Sequence, residues 1–214
     1  MKKIILILFA VFFLFTAISF AQEKPTFKQG VIYLTKFICS DYFVSLKNKT
    51  TDLDLVDTLY LRSLKYYLND PSEAMLALTF ATLPYTEIHI TIPLIQLKFT
   101  VPLPTVRGQL FTVKMKNLPA KFFYDTPNNA FGDKDKIPHF FGSAFIEYNI
   151  PYLNLSRFIG IFVEKFEEVF YVDGQADLRD LYVNGLGIKF GKALRKNDKL
   201  LPSEILKTYS FKIK

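Results

Sequence analysis

The chain has 214 residues, with 27 Lys or Arg against 20 Asp or Glu, a formal net charge of +7, and 50% of its residues are hydrophobic. That is one domain's worth of residues with enough apolar side chains for a sizeable core. The basic residues do not gather into a stripe, which argues against nucleic acid as a partner, and the single cysteine, Cys39, excludes an intrachain disulfide.

The first stretch, MKKIILILFAVFFLFTAISFAQEKP, has two lysines, an apolar run from Ile4 to Phe15, and the small residues Ser19 and Ala21. It reads as a bacterial-type signal peptide over residues 1–21, cut after Ala21. The alternative is a retained N-terminal membrane anchor, since Ile4 to Ala21 is just long enough to span a bilayer. No cysteine stands near the cut, as lipid attachment would require. Without Lys2 and Lys3 the chain carries 25 basic and 20 acidic residues, an ordinary balance for a soluble surface. Residues 22–214 are then expected to form a single exported domain in the periplasm or outside the cell. Cys39 sits in LTKFICSDYF, where it reads as a small buried side chain. Asn48 and Asn154 fit the glycosylation sequon, which stays idle behind a bacterial signal.

Residues 53–83 predict two antiparallel helices. LDLVDTLYLRSLKYYL has apolar residues at helical intervals, NDPS interrupts it, and a very apolar second segment follows a proline suited to a helix start. Over 86–117 the period changes. EIHITI, QLKFTV and LFTVKMK each alternate polar and apolar residues, the pattern of half-buried strands, with Pro93, Pro102 and Pro104 at ends or edges. His89 falls on the wet face of the first strand. DTPNNAFGDKDK is a loop. Residues 133–194 turn helical, and 195–214 form a charged, peripheral tail with a short helix or strand. The run RFIGIFVEKFEEVFYV is no membrane span, because Glu164, Lys165, Glu167 and Glu168 lie in its middle. The expected class is α+β: a mostly helical single domain with a small antiparallel sheet in the middle.

The late helices carry the polar residues. On the last of them Asp177, Asp180, Asn184, Gly187 and Gly191 fall on one narrow arc, while the other sides are apolar. On the first, with Asp135 or Asp133 as N-cap, Asp135 and His139 share a face among Phe140, Phe141 and Phe145. His139 is therefore expected out of free solvent. The middle helix puts Glu164, Glu167 and Glu168 opposite Phe158, Phe162 and Phe166, a pattern that a solvated carboxylate face explains. Acids, His139 and Asn184 at one helix junction have three readings. They form a satisfied hydrogen-bond network, bind a ligand or headgroup, or hold a metal or act as acid and base. No GxSxG, HExxH, P-loop or GxGxxG is present.

DKIPHFFGSAF, EKFEEVF and DLRDLYVNGLGIKFG together resemble the shared pattern of two related bacterial groups, the predicted periplasmic YfiM-like lipoproteins and the VanZ-like family named for teicoplanin resistance. Asp135, Lys136, His139 and Phe140 match the first motif, Glu164 with Glu167 or Glu168 the second, and Asp177, Asp180, Asn184, Gly187 and Gly191 the third. The match spans residues 133–194. This chain lacks the several spans of the VanZ-like proteins and the lipobox of the YfiM-like ones. The resemblance implies an envelope protein and brings no established reaction.

The expected protein is thus a non-enzymatic envelope protein without a cofactor. Its polar inter-helix junction comprises Asp135, His139, Glu164, Glu168, Asp177, Asp180 and Asn184, with Gly187 and Gly191 for helix packing. Its partner would be a membrane surface or a cell-wall component, with no nucleic acid. The competing expectation is a metal-assisted hydrolase of an envelope lipid or cell-wall substrate, with a divalent ion among His139, Asp135, Glu164 and Asp180.

Overall fold

The computed structural model describes residues 24–92, 97–150 and 178–209. In its N-terminal half each helix starts at a side chain that accepts backbone N–H groups otherwise left without partners. Thr26 and Gln29 form a reciprocal capping box at the start of α1 (Phe27–Ile38). Ser40 caps α2 (Asp41–Lys47), and Thr51 with Asp54 forms a second box at α3 (Asp52–Tyr66). Asp70 accepts from Ser72 and Glu73 at the start of α4 (Pro71–Thr82), where Pro71 leads the first turn. Leu68 and Asn69 turn the chain between α3 and α4 with positive φ. The Ser63 hydroxyl donates to the Ala74 carbonyl at 3.0 Å, fastening the two helices.

The architecture is mostly helical. Among the described residues the only strands are β1 (Glu87–Ile92) and β2 (Leu97–Pro102), an antiparallel ribbon with Glu87 opposite Pro102 and Ile92 opposite Leu97. The expected mostly helical domain is found, while the expected small sheet is only this two-stranded ribbon, too little for an α+β class. The third expected strand is a helix, α5 (Gln109–Asn117), which follows Gly108 at a φ of 65°. Its alternating pattern misleads because Lys114, in the middle of the expected wet face, is buried, although Thr112 and Lys116 are exposed. Lys114 and Asn117, three apart and so on one helical face, are both buried, and donate to the carbonyls of Leu83 and Ile38.

The remaining helices are α6 (Lys136–Asn149), α7 (Leu178–Leu194) and α8 (Pro202–Leu206). The core joins Leu34 and Ile38 of α1, Leu55 and Leu59 of α3, Leu78 of α4, Phe140 and Phe141 of α6, and Phe190 of α7. Residues 195–209 are not the peripheral tail expected of them. Pro202, Ser203, Leu206 and Tyr209 are buried, the Ser203 N–H donates to Asp57 at 2.8 Å, and the Tyr209 ring stacks on Phe123 at 3.9 Å. Apolar contact outweighs the tail's charged composition. Among the described residues no helix is long and apolar enough to cross a membrane. The expected signal peptide and the helix carrying Glu164 and Glu168 lie outside them.

The most extensive helix contact is between α6 and α7. The pair runs parallel, with Lys136 meeting Asp180 at one end and Glu147 meeting Arg195 at the other. Two glycines set its closeness. A Cβ at Gly187 would stand 2.3 Å from the Phe140 carbonyl oxygen, and one at Gly191 would stand 2.4 Å from that of Ala144. Both obstacles are backbone and cannot turn aside. Gly185 on the same helix has open space. Gly187→Ala is expected to lower stability by about 1–3 kcal/mol through overpacking. Gly185→Ala is expected to raise it by about 0.5–1 kcal/mol by removing a helix-interior glycine. Urea unfolding of both variants checks the opposite signs.

Candidate functional site

The N-terminal ends of α6 and α7 bring acids, a lysine and a histidine together. The Lys136 side chain is only 2% exposed. Its ammonium lies 2.9 Å from Asp135 Oδ2 and 2.6 Å from Asp180 Oδ1. His139 Nε2 stands 3.6 Å from Asp180 Oδ2, within ion-pair range and beyond a good hydrogen bond. The His139 side chain is 40% exposed, so the expected shielding by the neighbouring phenylalanines is incomplete. They turn inward: Phe140 and Phe141 are buried in the core. Tyr85 borders the cluster. Although the residue is 54% exposed, its hydroxyl is pushed up in pKa by desolvation, and the negative charges of Asp135 and Asp180 add to the shift.

One turn further along, the Ser143 hydroxyl donates to Asn184 Oδ1 at 3.0 Å, and beyond that lie the glycine contacts. Asp180, Asn184, Gly187 and Gly191 thus all face α6. Asp135 departs from its expected capping role, as it has helical backbone and no side-chain cap bond. Its Oδ1 is buried with no hydrogen-bond partner. Glu164, Glu168 and Asp177 lie outside the described residues.

Asp133, the other expected cap, belongs to a second network. It is fully buried. Its Oδ2 accepts from the Phe122 and Phe123 N–H groups, each at 3.1 Å, and from the Thr126 hydroxyl. Its Oδ1 accepts from Arg179 Nη2 at 2.6 Å. Arg179 also reaches Asp125 Oδ1 at 3.0 Å and, through Nε, the Tyr209 hydroxyl at 3.2 Å. That hydroxyl donates to Asp125 Oδ2 at 2.8 Å. Burial works against the Arg179 charge, but the hydrogen bonds to Asp133 and Tyr209 outweigh it and raise the pKa. Sequence reasoning missed this network. The signal available was the order Arg179-Asp180, which on a helix turns the two side chains roughly 100° apart and so toward different neighbours.

The chemistry open to the first cluster is limited by its lysine. Two carboxylates that could face a divalent ion face an ammonium instead. Among the described residues no three His, Cys, Asp or Glu side chains are placed to hold a metal. No family model, curated protein or solved structure matches the chain.

Another buried cation, Lys114, is 0% exposed and donates to the Leu83 carbonyl at 2.7 Å. Its ammonium lies 4.6 Å from the Phe111 ring centroid.

Removing the Lys136 charge leaves Asp135 and Asp180 facing each other. Lys136→Met is expected to cost about 3–5 kcal/mol at neutral pH, the usual penalty for breaking a buried ion pair. That deficit should shrink in Lys136→Met/Asp180→Asn, which removes one of the two facing charges. Chemical unfolding of both variants checks this. For Lys114, burial pushes the pKa down to about 8 from 10.5. The native state therefore loses this proton near pH 8, while the unfolded chain keeps it to about 10.5. Between those values the unfolded chain binds more protons, so this residue's contribution to stability rises with pH. Wild type is expected to gain stability relative to Lys114→Met between pH 8 and pH 10, read from paired thermal melts.

Proposed function

We propose that the protein is an exported envelope protein that acts by binding rather than catalysis, and that the polar α6–α7 junction is its structural brace. The observation that carries this reading is the Lys136 ammonium, buried between Asp135 and Asp180. A fixed internal cation neutralises the acids that a metal or a proton-transfer reaction would need. Ser143 with Asn184, and the glycine contacts, continue the same face as packing. Export is supported by the two lysines, apolar run and small-residue cleavage pattern of residues 1–21. The resemblance to YfiM-like and VanZ-like patterns points to the same compartment. A membrane surface or a cell-wall component is the partner class.

A second reading, a metal-assisted hydrolase with His139, Asp135, Glu164 and Asp180 around the ion, draws on two observations. Asp135 Oδ1 lacks a hydrogen-bond partner, and His139 is partly exposed within 3.6 Å of Asp180. Thermal melts of wild type, Lys136→Met and His139→Ala, each with EDTA and with a panel of divalent metals, separate the two. The brace reading expects a large loss in Lys136→Met, a small one in His139→Ala, and no effect of metal on any of the three. A metal-dependent rise in wild type that His139→Ala abolishes would overturn it in favour of the hydrolase.

A further inference from the structure

A second surface, built by α1, the start of α2 and α3, is arranged for a ligand. Tyr33, Lys36, Phe37, Ser40, Tyr42 and Arg62 line a shallow hollow of about 360 Å³. The Tyr33 ring stacks on that of Tyr66 at 4.0 Å, and Tyr66 borders a neighbouring hollow of about 260 Å³. Residues on both sides of one aromatic stack thus line two adjoining hollows, and no acidic residue lines either.

Arg62 differs from Arg179 and Arg195. Arg179 and Arg195 are each bound to carboxylates. The exposed Arg62 has no ion pair or hydrogen bond among the described residues; its guanidinium lies over two rings, 5.3 Å from the Tyr33 centroid and 4.9 Å from that of Phe37. This contact leaves its N–H donors unused. Lys36 is likewise exposed and unpaired, and the hydroxyls of Tyr33, Tyr42 and Tyr66 have no hydrogen-bond partner among the described residues. Tyr42, 63% exposed, presents a ring beside this pair of cations.

We infer that this surface binds an acidic glycan. A planar guanidinium takes a carboxylate or phosphate through paired hydrogen bonds, and the nearby ammonium adds charge. An exposed tyrosine offers an apolar face to the C–H side of a sugar ring and a hydroxyl to its alcohols. A sugar chain bearing anions meets both needs at once. The choice of a glycan rests on the envelope reading above, whereas the two unpaired cations do not.

Titration of the purified protein with oligogalacturonate, phosphomannan, neutral dextran and phosphatidylglycerol vesicles tests the inference. An acidic glycan is expected to bind and neutral dextran to leave the protein unchanged. Arg62→Gln and Tyr42→Ala should each weaken binding by about tenfold or more, the loss of one charge-assisted contact or one ring face. Their melting temperatures should match wild type. Binding of phosphomannan in preference to oligogalacturonate keeps the site and assigns its anion as phosphate. Equal binding by wild type and both variants, equal binding of dextran, binding to vesicles alone, or no binding at all would overturn it. Whether the protein is exported is read separately by cell fractionation, so failure of either reading is distinguishable.

Discussion

The backbone of α7 lies against the backbone of α6, and much else follows from that closeness. Gly187 and Gly191 permit it because any side chain there would meet a main-chain oxygen that cannot move aside. The two helices run parallel, which sets like ends of their dipoles side by side. Charge answers this at each end. Asp180 stands in the first turn of α7, beside Asp135 just before α6, where the helix ends are positive, and Lys136 joins the two acids. At the other end Arg195 donates to the Glu147 carbonyl, one of the last acceptors of α6, and to the Glu147 carboxylate at 2.9 Å.

Lys136, Arg179 and Lys114, three of the cations buried among the described residues, are stabilised in three ways. Lys136 has two carboxylates. Arg179 has two carboxylates and a phenol, in a network that also ties the 122–126 loop to the C-terminal segment. Lys114 has a carbonyl and an aromatic face, with no ion pair to a carboxylate among the described residues, and its lowered pKa follows. Groups held this firmly by the protein's own partners are poorly placed to meet a ligand. Arg62 and Lys36, which meet no carboxylate among the described residues, lie on a surface instead. That division moves the search for a partner from the conspicuous polar stripe to the tyrosine-lined hollows of α1 and α3.

The local signals were uneven in what they conveyed. Pro71 after Asp70 is legible because a proline at a helix start fits any context. The Thr26–Gln29 box of α1 and the Ser40 cap of α2 are equally local, but neither helix is among the expected elements, and no strong apolar period beside the Ser40 cap marks α2. LFTVKMK alternated well enough to suggest a strand. It is a helix because Lys114 and Asn117 reach carbonyls on α4's trailing residue and on α1, partners 31 and 79 residues away. Charged composition suggested a peripheral tail at 195–214, but Leu206 and Tyr209 found apolar neighbours on α3, α7 and the 122–126 loop.

From the residues alone one can derive the helical periods, the chain breaks at proline and glycine, and the narrow arc holding Asp180, Asn184, Gly187 and Gly191. All of these depend on neighbours within a turn or two. Which face of α7 meets which helix is a different kind of fact. That Lys136 lies between Asp135 and Asp180, that Asp133 serves Arg179 rather than a helix cap, and that Arg62 packs on rings rather than on a carboxylate are decided by contacts 25 to 54 residues apart. The chemistry of a charged side chain is set by what stands opposite it, and only the packed chain supplies that.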